Sequence, residues 1–175
     1  MSAATSEQVT DTIYDPSQII PLQETWVLWY HHTLNDWTID GYKDIWEFRT
    51  TKDFWDFHNN LELVGNITNL HFFLMRKGIE PRYEDPRNRT GGCWSFLGPQ
   101  KTELANEFWT RLAVNCVIEK LVVNNKREVN GISVNIKSGR PVFKIWNTSR
   151  HNSSDSLLPD YTKKYGDVLY QVHKS

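Results

Sequence analysis

A series of short aromatic and β-branched runs, interrupted in only a few places by helical patterns, constrains this fold most. ETWVLWYHH (24–32), GYKDIWEFRT (41–50), NLHFFLMR (69–76), GGCWSFL (91–97), GISVNIK (131–137), PVFKIWN (141–147) and DVLYQVH (167–173) read as strands. The intervening SGR (138–140) signals a hairpin. In the second run the apolar positions are Tyr42, then Ile45 with neighbouring Trp46, and Phe48. Thr50-x-x-Asp53 offers an N-cap to a helix over TKDFWDFHNN. There Phe54, Phe57 and Leu61 fall on one face, whereas Trp55 lies about 100° round from Phe54 and is a candidate exposed ring. ELANEFWTRLAVNCVIEKL (103–121) is the clearest helix, with Ala105, Phe108, Trp109, Leu112 and Cys116 on a shared face. A further short helix is expected within 151–165, limited by Pro159. The order ββαββαββαβ with short turns favours an antiparallel sheet covered by helices on one face. That is an α+β fold whose other face is open to a ligand. Residues 1–18 are polar and aperiodic and read as a mobile tail, which leaves 19–175 as one domain.

Composition narrows the function. No run approaches 18 consecutive apolar residues, and MSAATSEQVTDTIYDPSQ has neither the basic nor the apolar region of an export signal. A cytoplasmic protein is therefore expected. Cys93 and Cys116 form no CxxC pair and have no histidine pair at metal-ligand spacing, so buried free thiols are expected. Four N-x-S/T sequons begin at Asn66, Asn88, Asn147 and Asn152 and keep a secreted alternative nominally open. Residues 1–60 hold three Lys/Arg against ten Asp/Glu, whereas residues 119–150 hold seven against two. Such a local basic segment suits an anion site or an ordinary solvated strand edge better than a general nucleic-acid coat.

Enzymatic readings fail early. HExxH, GxSxG, the P-loop and GxGxxG are all missing from the sequence, and no cofactor or metal is called for. His31 and His32 are adjacent and so point to opposite faces of a strand. Glu80, Glu84 and Asp85 are crowded by Arg82, Arg87 and Arg89, which would compete with any metal for the carboxylates.

Ligand binding fares better, because eight tryptophans exceed what a core of this size needs. Trp37 follows TLND in a polar loop, and Tyr83 sits beside Glu84 in EPRYEDPRNRTGGCW (80–94). Two loop aromatics near one open sheet face can sandwich a planar base.

PLQETWVLWY, TTKDFWDF, GIEPRYEDPRN, GGCW, NEFW and GISVNIK…FKIWN together resemble the motif series of the eukaryotic translation initiation factor 4E family, the mRNA cap-binding proteins. The likeness runs from about Pro21 to His173. It implies a curved antiparallel sheet of about eight strands, three helices on the convex face and a cap slot on the concave one. The implied ligand is 7-methylguanosine joined through a triphosphate to RNA. By this resemblance Trp37 and Tyr83 stack on the cationic base, where cation–π attraction adds to stacking. Tyr83 stands where the family usually has tryptophan, so its smaller face implies weaker binding. Tyr42 or Trp46 competes for the role of Trp37 if the register shifts. Glu84 accepts the two N–H groups of the guanine edge, the Tyr83 amide donates to the base, and Trp146 packs on the N7-methyl group. Lys137 matches a phosphate-binding position; Gly139, Val142 and Cys93 replace others, leaving Arg140 as the substitute. On Glu84 the alternative is a surface carboxylate paired with Arg82 or Arg87.

The resemblance also implies a partner helix on the convex face, from a scaffold initiation factor of the 4G class or a 4E-binding protein. Pro21, Leu22 and Trp55 match its contacts. Ile20, Thr51, Thr110, Arg111 and Ile118 depart from the family pattern there, which points to a partner of altered sequence. A monomeric activator of translation, a repressor that sequesters capped RNA and a diverged member with weakened cap affinity all fit these residues.

Overall fold

The computed structural model describes residues 19–33, 35–64, 71–123 and 128–174, so the 1–18 tail lies outside the described residues. Strands form where aromatic and β-branched residues alternate: β1 (Pro21–His31), β2 (Tyr42–Thr50), β3 (His71–Arg76), β4 (Gly92–Leu97), β5 (Val129–Lys137), β6 (Arg140–Asn147) and β7 (Leu169–Val172). They make one curved sheet in the order β2-β1-β3-β5-β6-β4-β7, with every pairing antiparallel. The described sheet thus has seven strands where about eight were expected. Ser138 and Gly139 both take positive φ (51° and 74°) in the two-residue turn between β5 and β6, as a tight hairpin requires.

One face of the sheet is dry. Trp26 and Leu28 of β1, Phe72 and Leu74 of β3, Trp94 and Phe96 of β4, and Phe143 and Ile145 of β6 form the main core. Helices α1 (Thr51–His58) and α3 (Thr102–Val117) cover it, and a four-residue helix, α2 (Leu61–Val64), follows α1. Thr50 caps α1 as its sequence predicts: its hydroxyl accepts from the Asp53 amide, and the Asp53 carboxylate accepts from the Thr50 amide. Phe54, Phe57 and Leu61 are buried, and Trp55 remains 41% exposed.

Two local expectations need correction. Helix α3 stops at Val117, short of Leu121, because Glu119 adopts a left-handed φ of 59°. The Glu119 amide donates to Cys116 O and the Lys120 amide to Asn115 O, which closes a Schellman-type end. The Glu119 carboxylate turns inward to meet Arg76 Nη1 at 2.5 Å. Within 151–165 two 3₁₀ turns, Asp155–Leu157 and Asp160–Lys163, stand in place of a helix, on either side of Pro159.

Strand β2 is bulged. Leu28 pairs with Trp46 and Trp29 with Asp44, so Ile45 is an extra, bulged residue. The bulge separates Tyr42 from Trp46, which simple alternation would place on the same face. Tyr42 joins the open-face cluster with Phe73, Met75 and Trp146, whereas the Trp46 ring lies 6.1 Å from Phe57 on the helix side.

Cys93 and Cys116 are free and buried, and burial raises the pKa of both thiols. Asn88 and Asn147 are fully buried, which closes two of the four sequons to glycosylation in the folded chain; Asn66 is outside the described residues. No described helix is long and apolar enough to cross a membrane.

Candidate functional site

Two loops carry the exposed aromatic residues Trp37 and Tyr83 of the open face, and each is braced by short polar contacts. In the β1–β2 loop His31 Nε2 donates to Asp36 O at 2.7 Å. The Thr38 amide and hydroxyl both donate to Asp36 Oδ1, at 2.9 and 2.6 Å, and hold that carboxyl below its ordinary pKa. Gly41 is obligatory, since a Cβ there would lie 1.9 Å from Asp36 O. This frame lays the Trp37 indole on the His31 ring, with centroids 4.2 Å apart and planes at 13°. One indole face is thereby occupied, and the residue is still 51% exposed.

The loop between β3 and β4 explains the crowded charges of EPRYEDPRNRTGG. Buried Asp85 accepts from the Glu80 and Arg87 amides at 2.9 and 2.8 Å. Asn88 donates to Glu80 O at 2.9 Å and Arg82 O at 2.7 Å, and accepts from Asn130 Nδ2 at 3.0 Å. Arg82 pairs with Glu80 at 2.5 Å, and Arg87 donates to Gly78 O. The paired glycines close the loop against the sheet, where a Cβ on Gly91 would meet Asn147 O at 1.9 Å. Asp85, Asn88 and two of the arginines thus fix the loop. Tyr83 and Glu84 project from it exposed, and Glu84 has no hydrogen-bond or ion-pair partner among the described residues. The alternative pairing of Glu84 with Arg82 or Arg87 is not what forms.

Trp37, Tyr83, Glu84 and Trp146 line one cavity of about 280 Å³ on the open face, together with Tyr42 and Lys144. Trp146 is its fixed wall: 5% exposed, it donates from Nε1 to Ser133 Oγ at 3.0 Å and meets Phe73 edge-on at 6.2 Å. Burial, and then the charge of Glu84, raise the Tyr42 phenol pKa, so it is a neutral O–H donor. Rings, a carboxylate with no ion pair among the described residues, the Lys144 ammonium and the Arg82 guanidinium, itself paired to Glu80, suit a flat, cationic ligand that carries an anionic group. Lys137 and Arg140 face each other across the β5–β6 turn and lie outside the cavity lining. Lys144 is the cation that sequence reasoning missed. Strand alternation held the signal, since Lys144 lies two residues before Trp146 and shares its face.

On the helix side a second groove, of about 510 Å³, is lined by Trp55, His58, Asn106, Thr110 and Arg111 among others. Pro21 is exposed at the strand edge opposite Thr50, and Leu22 packs against the main core; neither lines the groove. The Arg111 guanidinium lies 4.0 Å over the Tyr161 ring. His58 stacks on Phe54 at 3.9 Å and donates from Nδ1 to Phe54 O at 2.9 Å. Burial pushes its pKa down to about 4. Between pH 4 and 6.5 the unfolded chain therefore binds a proton that the folded chain refuses, so stability falls as pH drops through that window. His58→Phe is expected to flatten this part of the stability–pH profile, by roughly 3 kcal/mol at its acid end, in denaturant titrations.

A helix-backed antiparallel sheet with an aromatic cavity on its open face defines a one-sheet α+β binding protein. The family described as Eukaryotic initiation factor 4E matches residues 21–172, and the chain belongs to that family. The chain is 30% identical over 155 residues to Eukaryotic translation initiation factor 4E-2 of Schizosaccharomyces pombe, covering 85% of this chain and spanning 61% of that relative's length. Among solved structures it is similar to Ascaris suum eIF4E-3 in complex with m7G cap, at 25% identity and a TM-score of 0.73, covering 90% of this chain and 93% of that one. It is also similar to C. elegans eIF4E-3 in complex with the 4E-binding protein Mextli, at 25% identity and a TM-score of 0.74, covering 90% and 95%.

Proposed function

We propose that residues 19–175 form a cap-binding domain that takes the 7-methylguanosine of mRNA into the open-face cavity. Through a partner on the helix-covered face, the protein acts in translation initiation or its control. The observation that carries this reading is Glu84, a carboxylate with no hydrogen-bond or ion-pair partner among the described residues, set by a braced loop in one cavity with the rings of Trp37, Tyr83 and Trp146. Trp37 and Tyr83 stack on the methylated base, Glu84 accepts from its N1 and N2 groups, and Trp146 meets the N7-methyl group. Lys137 and Arg140, at the hairpin tip, are the cations that the family pattern assigns to phosphate. Adenine lacks the donor pair that Glu84 needs, and unmethylated guanine lacks the positive charge that the rings attract. The protein is a cytoplasmic monomer and binds without chemical turnover. Retention on immobilised m7GTP, with release by free m7GTP and not by GTP, tests the reading; release by both nucleotides alike would reject it.

Tyr83 offers a smaller face than an indole, so Tyr83→Trp is expected to tighten m7GTP binding several-fold in the same titration. The partner reading rests on Trp55, whose half-exposed indole borders the groove beside α3. A short amphipathic helix from a 4G-class scaffold or a 4E-binding protein suits such a groove. Arg111, already stacked on Tyr161, favours a partner that presents an acidic or aromatic residue at that point. Trp55→Ala is expected to weaken capture of such a helix by about tenfold or more, with m7GTP binding unchanged. Loss of both together would place the fault in folding.

A further inference from the structure

Lys144 stands on the open face of β6, in the cavity that Glu84 also lines. It pairs across to Ser95 on β4 and Ser133 on β5. The residues flanking it on the same face of its own strand are Val142 and Trp146. It enters no salt bridge among the described residues, although it is half-buried. An ammonium so placed has lost part of its hydration without gaining a protein anion.

Lys144 also borders a second cavity, of about 270 Å³, toward β7. Tyr83, Lys144 and Trp146 line both spaces, so the second cavity continues the first past the Trp146 ring. Its further walls include Cys93, Gln171, His173 and Lys174, and no acidic residue contributes. Lys137 and Arg140 line neither cavity. From the first cavity to the second, the side chains run from the carboxylate of Glu84, past the rings, to the ammonium groups of Lys144 and Lys174. A ligand with a cationic base and an anionic phosphate chain has the same order of charge.

We infer that the phosphate chain of the capped nucleotide leaves the base cavity past Trp146 and is held by Lys144, with Lys174 at the outer end of the path, rather than by Lys137 and Arg140 at the tip of the β5–β6 hairpin. This rests on the cap-binding reading and names a residue for the phosphate in the body of β6, four residues from Arg140 at the hairpin tip. Val142, Gly139 and Cys93 carry no cation, and Lys144 stands on the sheet beside two of them.

The test titrates the full chain with m7GTP and with 7-methylguanosine, following tryptophan quenching. Wild type, Lys144→Gln, Lys144→Arg and the Lys137→Ala/Arg140→Ala double variant are compared. Lys144→Gln is expected to weaken m7GTP binding by about tenfold or more and to flatten its salt dependence. Binding of the uncharged-tail nucleoside stays within about twofold, Lys144→Arg recovers most of the loss, and the hairpin variant loses less than Lys144→Gln. Unchanged m7GTP affinity in Lys144→Gln, a parallel loss of nucleoside and triphosphate, or a larger loss in the hairpin variant would overturn this inference alone. No quenching of wild type by either ligand would overturn the cap reading and this inference together.

Discussion

Glu84→Ala is expected to weaken m7GTP binding by about a hundredfold or more and to leave stability within about 0.5 kcal/mol of wild type. The asymmetry follows from what Glu84 touches. Its carboxylate is exposed and takes no part in the hydrogen bonds that hold its loop, so the fold loses nothing with it. Its neighbours are already committed: Arg82 to Glu80, and Arg87 to the Gly78 carbonyl. A ligand guanine therefore meets a carboxylate that forms no ion pair among the described residues, and two charge-assisted bonds are lost with the side chain. Glu84→Gln keeps one acceptor oxygen and should fall between the two. Fluorescence titration alongside urea unfolding checks both halves; a variant that binds as wild type does would remove Glu84 from the site.

The second large effect belongs to a residue that touches no ligand. Asn88 is completely buried, and its side chain ties Glu80 O, Arg82 O and Asn130 together. Asn88→Ala leaves the Glu80 carbonyl without its side-chain donor, Arg82 O with only the Asp85 amide, and Asn130 Nδ2 without one acceptor, a loss of about 2–4 kcal/mol. The same bonds position Tyr83 and Glu84, so m7GTP affinity is expected to fall even at temperatures where the variant is folded. Urea unfolding gives the first quantity and titration of the folded variant the second. A stability change under about 0.5 kcal/mol would show that Asp85 and the two arginines hold the loop without Asn88.

Much of this was legible in the residues. Alternating aromatic and β-branched runs located the strands, and the Thr50–Asp53 pair marked the start of α1 down to its reciprocal cap. Trp55 was legible as an exposed ring because helical geometry sets it apart from Phe54 and Phe57. What stayed hidden is nonlocal. The bulge at Ile45 depends on the register with β1, so alternation alone leaves Tyr42 and Trp46 on the same side. The end of α3 depends on Arg76, 43 residues away in sequence, which pairs with Glu119 after the helix has turned out. The apolar pattern that continues to Leu121 carries no trace of that contact. In the cavity, His31 was recognisable as one of two opposed histidines, but its stacking under Trp37 needs the folded β1–β2 loop. The family pattern drew attention to Lys137 and Arg140 on the hairpin. Their place at the turn was legible in SGR; that this turn lies outside either open-face cavity follows only from the folded sheet.

The cap slot itself is tested most directly by quenching of the intrinsic tryptophan fluorescence of the wild-type chain, with m7GTP titrated against GTP. Trp37 and Trp146 both line the cavity, so a stacked ligand reports on itself. The predicted result is saturable quenching by m7GTP at concentrations at least tenfold below those at which GTP acts, since only the methylated base is cationic. Equal quenching by the two nucleotides, or none by either, would contradict cap binding by this protein.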